Sequence, residues 1–430
     1  MTERVYLHVG SPKSGTTYLQ RVLRHNKQSL ADQGVLVAGR THGELVHAGF
    51  VVREDRRLQK LPERASCAWD RLVEEVLSFP GHTAVISYEL FSAARRRQAA
   101  EAIESLSGCE VHVVITCRDL GRAVPSAWQE RLKFALTVPL EEWQPPPESK
   151  GPRAEWGWRT MDPASVAQRW GADLPPEQVH IVTAPRRGAP ARELWDRFAE
   201  ACSLQDVAVD IDVPPTNESL GIAAAEVLRI VNQQDLGPIR GSREQSRWLR
   251  DTLAHRVLAS LDDEPIGITD AQLAEAEQRA RDAVATIRRS GWSVHGDLDD
   301  LTATRSEDAR MPGEVPAEEL LDVAVRTIVG LLLELREARS RTAGDVSVEA
   351  TTPALRGSVV VDVAGRRSRP LIDALSERLD DLERQLQEGR RLQERVAALH
   401  DLVTELLLPA EQQDTELLTK ALRDYRRDSL

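Results

Sequence analysis

The sequence is poor in cysteine, in aromatic residues and in long apolar runs. Aromatic residues make up 4% of the 430 residues, and only four residues are cysteine. These are Cys67, Cys109, Cys117 and Cys202. They lie far apart and form no CxxC pair, so the sequence indicates neither a structural zinc site nor a disulfide framework. We expect no bound metal.

No segment resembles a membrane span or a secretory signal. The longest apolar stretch runs from Val323 to Leu335 and is interrupted by Arg326 and Glu334. It is too short and too charged to cross a bilayer. The N-terminus has no basic region followed by a long apolar one. We therefore expect a cytoplasmic protein without a membrane span.

The net charge is −12, with 41% hydrophobic and 29% charged residues. This is an ordinary composition for a folded protein, with enough apolar material for a core. The acidic balance argues against a nucleic-acid partner. A locally basic pocket remains compatible with it, because one site can differ in sign from the whole surface.

Short β-branched runs alternate with helical patterns over the first 200 residues. We predict strands at Val5–Val9, Thr83–Tyr88, Glu110–Thr116 and Val179–Thr183. Helices are predicted at Thr17–Leu30, Ala65–Ser78, Ala94–Leu106, Arg122–Leu136 and Ala191–Ala201. This alternation predicts an α/β fold, a three-layer parallel sheet of the P-loop type with helices on both faces.

Strand candidates become scarce after Glu218, and helical patterns dominate. They occur at Ser219–Gln234, Arg243–Leu261, Asp270–Ser290 and Leu320–Arg339. We predict a catalytic domain over residues 1–302, a linker with one helix over residues 303–370, and a helical tail over residues 371–430.

The tail contains a short heptad pattern. Its apolar positions are Leu375, Leu379, Leu382 and Leu386, then Leu392, Val396, Leu399, Val403 and Leu406. The pattern favours a coiled coil through which the chain would form a homo-oligomer. An amphipathic helix that packs on its own domain is the alternative.

The stretch VYLHVGSPKSGTTYLQRVL carries the clearest chemistry. A predicted strand runs into Gly10-Ser11-Pro12-Lys13-Ser14-Gly15-Thr16-Thr17, and a helix follows directly. Backbone N–H groups at such a helix N-terminus bind phosphate or sulfate. A Walker A loop needs Lys directly after the second Gly. Here Thr16 holds that position and the lysine comes earlier, at Lys13.

The loop resembles instead the 5′-phosphosulfate loop of sulfotransferases that use PAPS (3′-phosphoadenosine 5′-phosphosulfate), whose pattern is similar to PKSGTT. The resemblance implies that PAPS is the co-substrate and PAP the product. It also implies that Lys13 meets the leaving oxygen. Donor contacts would come from the following loop residues: Ser11, Lys13, Ser14, Gly15, Thr16 and Thr17. A chance Gly/Ser/Thr turn before a helix is the plain alternative.

A second match to this family lies in VHVVITCRDLGRAVPSAWQERLK. Arg118 ends the third predicted strand and Ser126 follows eight residues later, and the resemblance implies that this pair holds the 3′-phosphate. A guanidinium matches a phosphate bidentately, and a helical hydroxyl adds a donor. Alternatively, Arg118 is a surface residue paired with Asp119. Further along this stretch, Lys133 either extends the basic wall or is exposed.

Glu89, in ISYELFS just past the second predicted strand, lies where α/β folds place their ligands. Several carbohydrate-type members of the family use a Glu in this region as general base, and others use a histidine. His42 and His47, in the expected loop after the first helix, are the alternatives to Glu89 as base or would contact the acceptor. Plain surface histidines are the other interpretation of this pair. A solvated strand-end carboxylate is the plain alternative for Glu89.

The resemblance covers about residues 1–300 and implies transfer of a sulfuryl group to a hydroxyl or amine. The acceptor would be a small molecule, a carbohydrate or a lipid. One rival interpretation is a P-loop nucleotide-binding kinase or NTPase, although the lysine that such a loop needs directly after Gly15 is absent. Another is an assembly protein with a degenerate nucleotide site.

Overall fold

Six strands form one parallel sheet in the computed structural model, which describes residues 2–147, 155–186, 188–214, 219–262, 264–305 and 309–348. The strands are β1 (Arg4–His8), β2 (Val35–Val37), β3 (Thr83–Ser87), β4 (Glu110–Cys117), β5 (Val179–Thr183) and β6 (Ser293–His295). Their order is β2-β3-β1-β4-β5-β6, and every neighbouring pair is parallel. The predicted α/β fold with a parallel sheet is confirmed.

Alternate residues of the strands enter two different cores, as the two-residue period of a strand requires. Val5 and Leu7 of β1 join the core on one face, while Tyr6 between them joins the core on the other. In β4, Val113 and Val114 divide in the same way. Both faces of the sheet are therefore covered, which is typical of parallel sheets.

Helices cover both faces and continue into a mainly helical second half. They are α1 (Thr16–His25), α2 (Lys27–Asp32), α3 (His42–Val52), α4 (Ala68–Ser78), α5 (Arg96–Glu104), α6 (Leu120–Leu132), α7 (Trp158–Met161), α8 (Pro163–Trp170), α9 (Ala191–Ala201), α10 (Ile222–Asn232), α11 (Ser242–Gln245), α12 (Asp270–Ser290) and α13 (Ala317–Val348). A π-helix spans Ser246–Val257, and 3-10 helices include Glu89–Ala93 and Leu298–Leu301.

The four predicted strands are confirmed to within one residue at each end. The short strands β2 and β6 were not predicted, since three residues give too little periodicity. The predicted helix Thr17–Leu30 is two helices, α1 and α2. The predicted helix Arg243–Leu261 consists of α11, the π-helix and a last 3-10 turn.

A third core lies among α6, α10, the π-helix and α12. From the chain after α12, its buried members are Ala303, Val315 and Val323. Residues Met1–Ser347 form one compact unit. The heptad tail predicted over residues 371–430 lies outside the described residues. In the part of the chain that the structure describes, no helix is long and apolar enough to cross a membrane.

Strand order determines where a site can form. β1 lies inside the sheet, between β3 and β4. The strands that follow β1 in the chain are placed first on one side of it (β2 and β3) and then on the other (β4, β5 and β6). The strand order therefore reverses at β1, and a crevice can form at its carboxyl end. Ligands of open α/β sheets bind at such a point. The loop Gly10–Gly15, Glu89 and Arg118 follow β1, β3 and β4 respectively.

Candidate active site

The loop between β1 and α1 has a backbone suited to close approach by a ligand. Gly10, Lys13 and Gly15 have φ values of 89°, 64° and 88°. A side chain at Gly10 would collide with the backbone of Glu89, since its Cβ would lie 2.7 Å from the Glu89 carbonyl oxygen. A side chain at Gly15 would collide with Leu194. The loop is thus held tightly between neighbouring elements.

Several polar groups of this loop have no partner. The backbone N–H groups of residues 13–17 donate no hydrogen bond within the part of the chain that the structure describes. The hydroxyl Oγ of Ser11 is buried and has no hydrogen-bond partner in the described part of the chain. Unpaired donors at a helix N-terminus attract an anion. The loop therefore fits a phosphate or sulfate group.

Neutral hydrogen bonds support the loop from below. His8 Nδ1 contacts Ser87 Oγ at 2.7 Å, and His8 Nε2 contacts Thr116 Oγ1 at 3.1 Å. Thr116 Oγ1 also contacts Ser14 Oγ at 2.6 Å. Burial lowers the pKa of His8 to about 3, so the ring is neutral at pH 7. We call His8, Ser14, Ser87 and Thr116 the neutral floor.

Arg118 connects the loop to α6. Its guanidinium donates a 2.8 Å hydrogen bond from Nη1 to the carbonyl oxygen of Lys13. Burial, and then the charge of Arg122, lowers the pKa of Arg118 to about 10. Asp119 acts as the N-cap of α6, accepting from the N–H groups of Gly121 and Arg122. The positive charge at Arg118 is therefore not fully compensated, and an anion there would be stabilised.

Two cavities meet at this arginine. The loop cavity has a volume of about 390 Å³ and includes Lys13, Ser14 and Gly15 in its wall. The helix cavity has a volume of about 450 Å³ and includes Ser126. Three residues line both cavities: Arg118, Arg122 and Thr304. The loop and Ser126 thus face neighbouring spaces with a shared wall.

Two acidic residues of these cavities are paired with arginines, and the third, Asp119, caps α6. Asp300 of the loop cavity accepts a 2.6 Å hydrogen bond from Arg197, and Glu264 of the helix cavity is paired with Arg310 at 2.6 Å. Thr304 donates through its hydroxyl to Asp119. The arginines that line the cavities therefore give both walls a positive bias. This is the basic pocket in an acidic protein that the composition allowed.

Lys13 forms an ion pair with a residue of α6. Its Nζ lies 3.0 Å from Glu130 Oε1, and Lys133 Nζ lies 2.8 Å from the same oxygen. Burial alone would raise the pKa of Glu130, but the charges of Lys13 and Lys133 outweigh it and hold that pKa far below its usual range. Lys133 is 0% exposed, so the alternative that it is an exposed residue is wrong.

We call Arg118, Arg122, Glu130 and Lys133 the charged wall. The pKa of His255, in the π-helix, is affected by this wall. Burial, and then the charge of Lys133, lowers it to about 4. The buried Nε2 of His255 has no hydrogen-bond partner among the described residues. A neutral imidazole thus lies in the electrostatic range of Lys133 and Glu130.

Glu89 lies on the other side of the loop. Its carboxylate accepts a 2.7 Å hydrogen bond from Gln20 of α1, and its backbone touches Gly10. Glu89 is half-buried and does not line the loop cavity or the helix cavity. The structure thus brings Glu89 to the loop, but it is Glu130 that contacts Lys13.

His42 and His47 do not lie in a loop, since both belong to α3. The ring of His42 packs edge-on to Tyr88 at 6.1 Å between centroids, and the ring of His47 lies near Phe50. Burial, followed by the charges of Arg64 and Arg71, lowers the pKa of His47. Neither histidine lines the two cavities.

The sequence analysis did not find Glu130 or Arg122. A usable signal was present, because Arg122, Ser126 and Glu130 are spaced four residues apart and so lie on one face of a helix. Thr304 had no such signal, since it reaches Asp119 from 185 residues away.

Comparisons with known proteins give a limited match. The family model "Domain of unknown function (DUF6752)" matches residues 375–429. No curated protein matches the sequence. Similar solved structures include a sulfotransferase from Alicyclobacillus acidocaldarius, at 13% identity, TM-score 0.36, and coverage of 67% of this chain and 96% of that chain. The sulfotransferase domain from the curacin biosynthetic pathway matches at 12% identity, TM-score 0.28, and coverage of 64% and 96%.

Proposed function

We propose that this chain is a sulfotransferase that takes the sulfuryl group from PAPS. The observation that carries the proposal is the position of Arg118, bonded to the carbonyl of Lys13 and lining the two cavities that contain the loop and Ser126. PAPS has two separate anionic groups on one adenosine. A shared wall between two positively biased cavities suits such a ligand.

The donor's 5′-phosphosulfate would bind at the unpaired N–H groups of residues 13–17, with the hydroxyls of Ser11, Thr16 and Thr17 nearby. Arg118 and Ser126 would hold the 3′-phosphate. One N–H of Arg118 is used by the Lys13 carbonyl, and a guanidinium has further donors for a phosphate. Because ATP has no 3′-phosphate, this pair would select PAPS.

Lys13 would offset the charge on the oxygen that leaves sulfur. To do so, the Lys13 ammonium would break its ion pair with Glu130 and contact the 5′-phosphosulfate of the donor. Lys133 stays on Glu130 at 2.8 Å, so that exchange does not leave a buried carboxylate without a counter-charge. The chain thus has a resting position for Lys13 that it can leave at low cost.

In the transfer step, an acceptor oxygen or nitrogen forms a bond to sulfur as the bond from sulfur to the 5′-phosphate oxygen breaks. PAP departs with the electron pair of that bond, and Glu89 takes the acceptor proton. Gln20 orients the Glu89 carboxylate through the 2.7 Å hydrogen bond. His42 and His47 are the alternative bases. The acceptor is a small molecule, a carbohydrate or a lipid.

Calorimetry with PAP, AMP and ATP tests the proposal. We expect PAP to bind more tightly than ATP, and Arg118→Ala to weaken PAP binding by about 1.5–3 kcal/mol, the scale of a hydrogen bond to a charged group. AMP lacks the 3′-phosphate and serves as the control ligand. Its affinity should fall far less than that of PAP in Arg118→Ala. Equal binding of PAP by the variant and the wild type, or tighter binding of ATP than of PAP, would overturn the assignment.

A further inference from the structure

The last described helix, α13, has two faces of different character. One face packs on the helical half of the protein. On that face Val323 and Thr327 are each only 5% exposed. Gly330 lies against Val257, and Glu334 accepts a 2.9 Å hydrogen bond from Arg256. The helix is therefore fixed to the body by these contacts.

The opposite face is apolar and exposed. Its residues are 36–66% exposed, and we call them the apolar seam: Leu321, Val325, Ile328, Leu332 and Leu335. Their spacing is 4-3-4-3, which is the heptad repeat with Leu321 at a d position. On a helical wheel this seam lies almost opposite Val323 and Thr327. Soluble monomers seldom expose so continuous an apolar stripe.

We propose that two copies of the chain form a dimer by pairing their apolar seams in antiparallel orientation. A heptad seam fits another helix with the same repeat, because each side chain fills a hole between four residues of the facing helix. In the antiparallel register, Val325 faces Leu335 of the partner subunit, and Ile328 faces Leu332 of the partner subunit. The four central core layers are then apolar, while Leu321 at each end faces Arg339 of the partner subunit. The two-fold symmetry closes the assembly at two chains.

The charges beside the apolar seam decide the orientation. The e positions along one edge are Asp322, Val329 and Arg336. Antiparallel pairing sets Asp322 against Arg336 of the partner subunit, twice per dimer, with Val329 facing its own copy. Parallel pairing instead sets Leu331 beside Arg336 of the partner subunit, and Asp322 then keeps only Arg326 of its own helix as a cation. Charge complementarity therefore favours the antiparallel dimer of this chain over a parallel one.

Sedimentation equilibrium of the full chain tests the dimer. Wild type should be a dimer, and Leu332→Asp should weaken its association at least about 100-fold, because each dimer buries two charges in its core. Leu332 is 47% exposed in the single chain, so the variant should keep its thermal unfolding midpoint. A monomeric wild type, or an unchanged association for Leu332→Asp, would overturn the proposal.

Charge reversal tests the orientation and is insensitive to any association elsewhere in the chain. Asp322→Arg should weaken dimerisation roughly tenfold, since two attractive pairs become repulsive. The double variant D322R/R336D should restore wild-type affinity. A neutral single reversal, or a double variant as weak as the single one, would contradict the antiparallel arrangement.

Cross-linking supplies an independent distance. Cys67 is exposed and is first changed to Ser. Leu331 is at a g position, on the other edge of the seam from Asp322 and Arg336, and in the antiparallel dimer it faces its own copy across the two-fold axis. In that background Leu331→Cys should therefore cross-link efficiently with a short bis-maleimide. Leu333→Cys is the matched control, at 59% exposure on the same helix but outside the seam. Equal cross-linking at both positions would exclude the proposed register.

Discussion

The neutral floor and the charged wall meet at the loop between β1 and α1, and they differ in chemistry. Below the loop, His8, Thr116 and Ser14 form buried hydrogen bonds without a net charge. Beside the loop, Glu130 of α6 forms buried ion pairs with Lys13 and with Lys133, the residue after α6. Directional neutral bonds specify a backbone shape. Charges instead attract a ligand and can change partners when it arrives.

This contrast assigns different work to the two regions. The neutral floor would hold the loop in one conformation whether or not an anion is bound. The charged wall would reorganise, since the proposed donor would compete with Glu130 for Lys13. Changes to the wall should therefore alter charge balance and chemistry, whereas changes to the floor should alter the stability of the loop and its dependence on pH.

The largest effect is expected for Glu130→Gln. The substitution removes the carboxylate that lies 2.8 Å from the fully buried Lys133 ammonium, and breaking a buried pair on one side costs about 3–5 kcal/mol. Urea unfolding measures the loss. The double variant E130Q/K133M removes the buried ammonium as well and should recover most of the stability. A cost below about 1 kcal/mol for the single variant would mean that Lys133 does not depend on Glu130.

Lys13→Ala separates chemistry from folding. Glu130 keeps Lys133 as its partner, so the fold should persist, while label transfer from PAPS to acceptors in a cell extract should fall by about 10²–10³-fold. PAP affinity should change less than turnover. Arg186→Ala is the matched control, since Arg186 also lines the loop cavity but is 61% exposed and should affect transfer much less. Undiminished transfer by Lys13→Ala would remove the lysine from the mechanism.

A smaller effect is expected for the pH dependence of the floor. The pKa of His8 is lowered from 6.5 to about 3, so the unfolded chain takes up the proton first as the pH falls. The contribution of neutral His8 to stability is complete above about pH 6.5 and is lost steadily down to about pH 3. His8→Gln should therefore flatten the slope of unfolding free energy against pH by about 1.4 kcal/mol per pH unit within that window.

Thr116→Val is the control for that measurement. It removes the hydroxyl that contacts His8 and Ser14 but removes no titrating group. Stability should fall by about 1–3 kcal/mol at every pH, with an unchanged slope. A slope that flattened equally in both variants would show that the hydrogen bond, and not the titration of His8, sets the pH dependence.

Sequence reasoning reached the parts of the site that are local in the chain. The loop, its flanking strand and helix, and the eight-residue spacing from Arg118 to Ser126 all lie within short segments. Hydrophobic period and turn chemistry specify such segments directly. Because β1 and β4 are adjacent and parallel, placing these segments at one edge of the sheet followed from the fold.

The long-range contacts could not be predicted in this way. Lys13 and Glu130 are 117 residues apart, and nothing in either segment specifies the other. Burial of Lys133 also contradicts the usual exposure of lysine, and Glu130 supplies an opposite charge for it from three residues away. The π-helix has i→i+5 hydrogen bonds instead of the i→i+4 bonds of an α-helix. The sequence pattern predicts a helix there but does not distinguish between these two kinds.

The backbone of Lys13 has a consequence for how this loop can vary. With φ at 64°, the residue occupies a conformation that glycine adopts freely and that a lysine side chain disfavours. A change to glycine would relax the loop and at the same time remove its ammonium. Random drift toward greater stability would therefore erode activity at this position, and only selection for the chemistry would keep a lysine there.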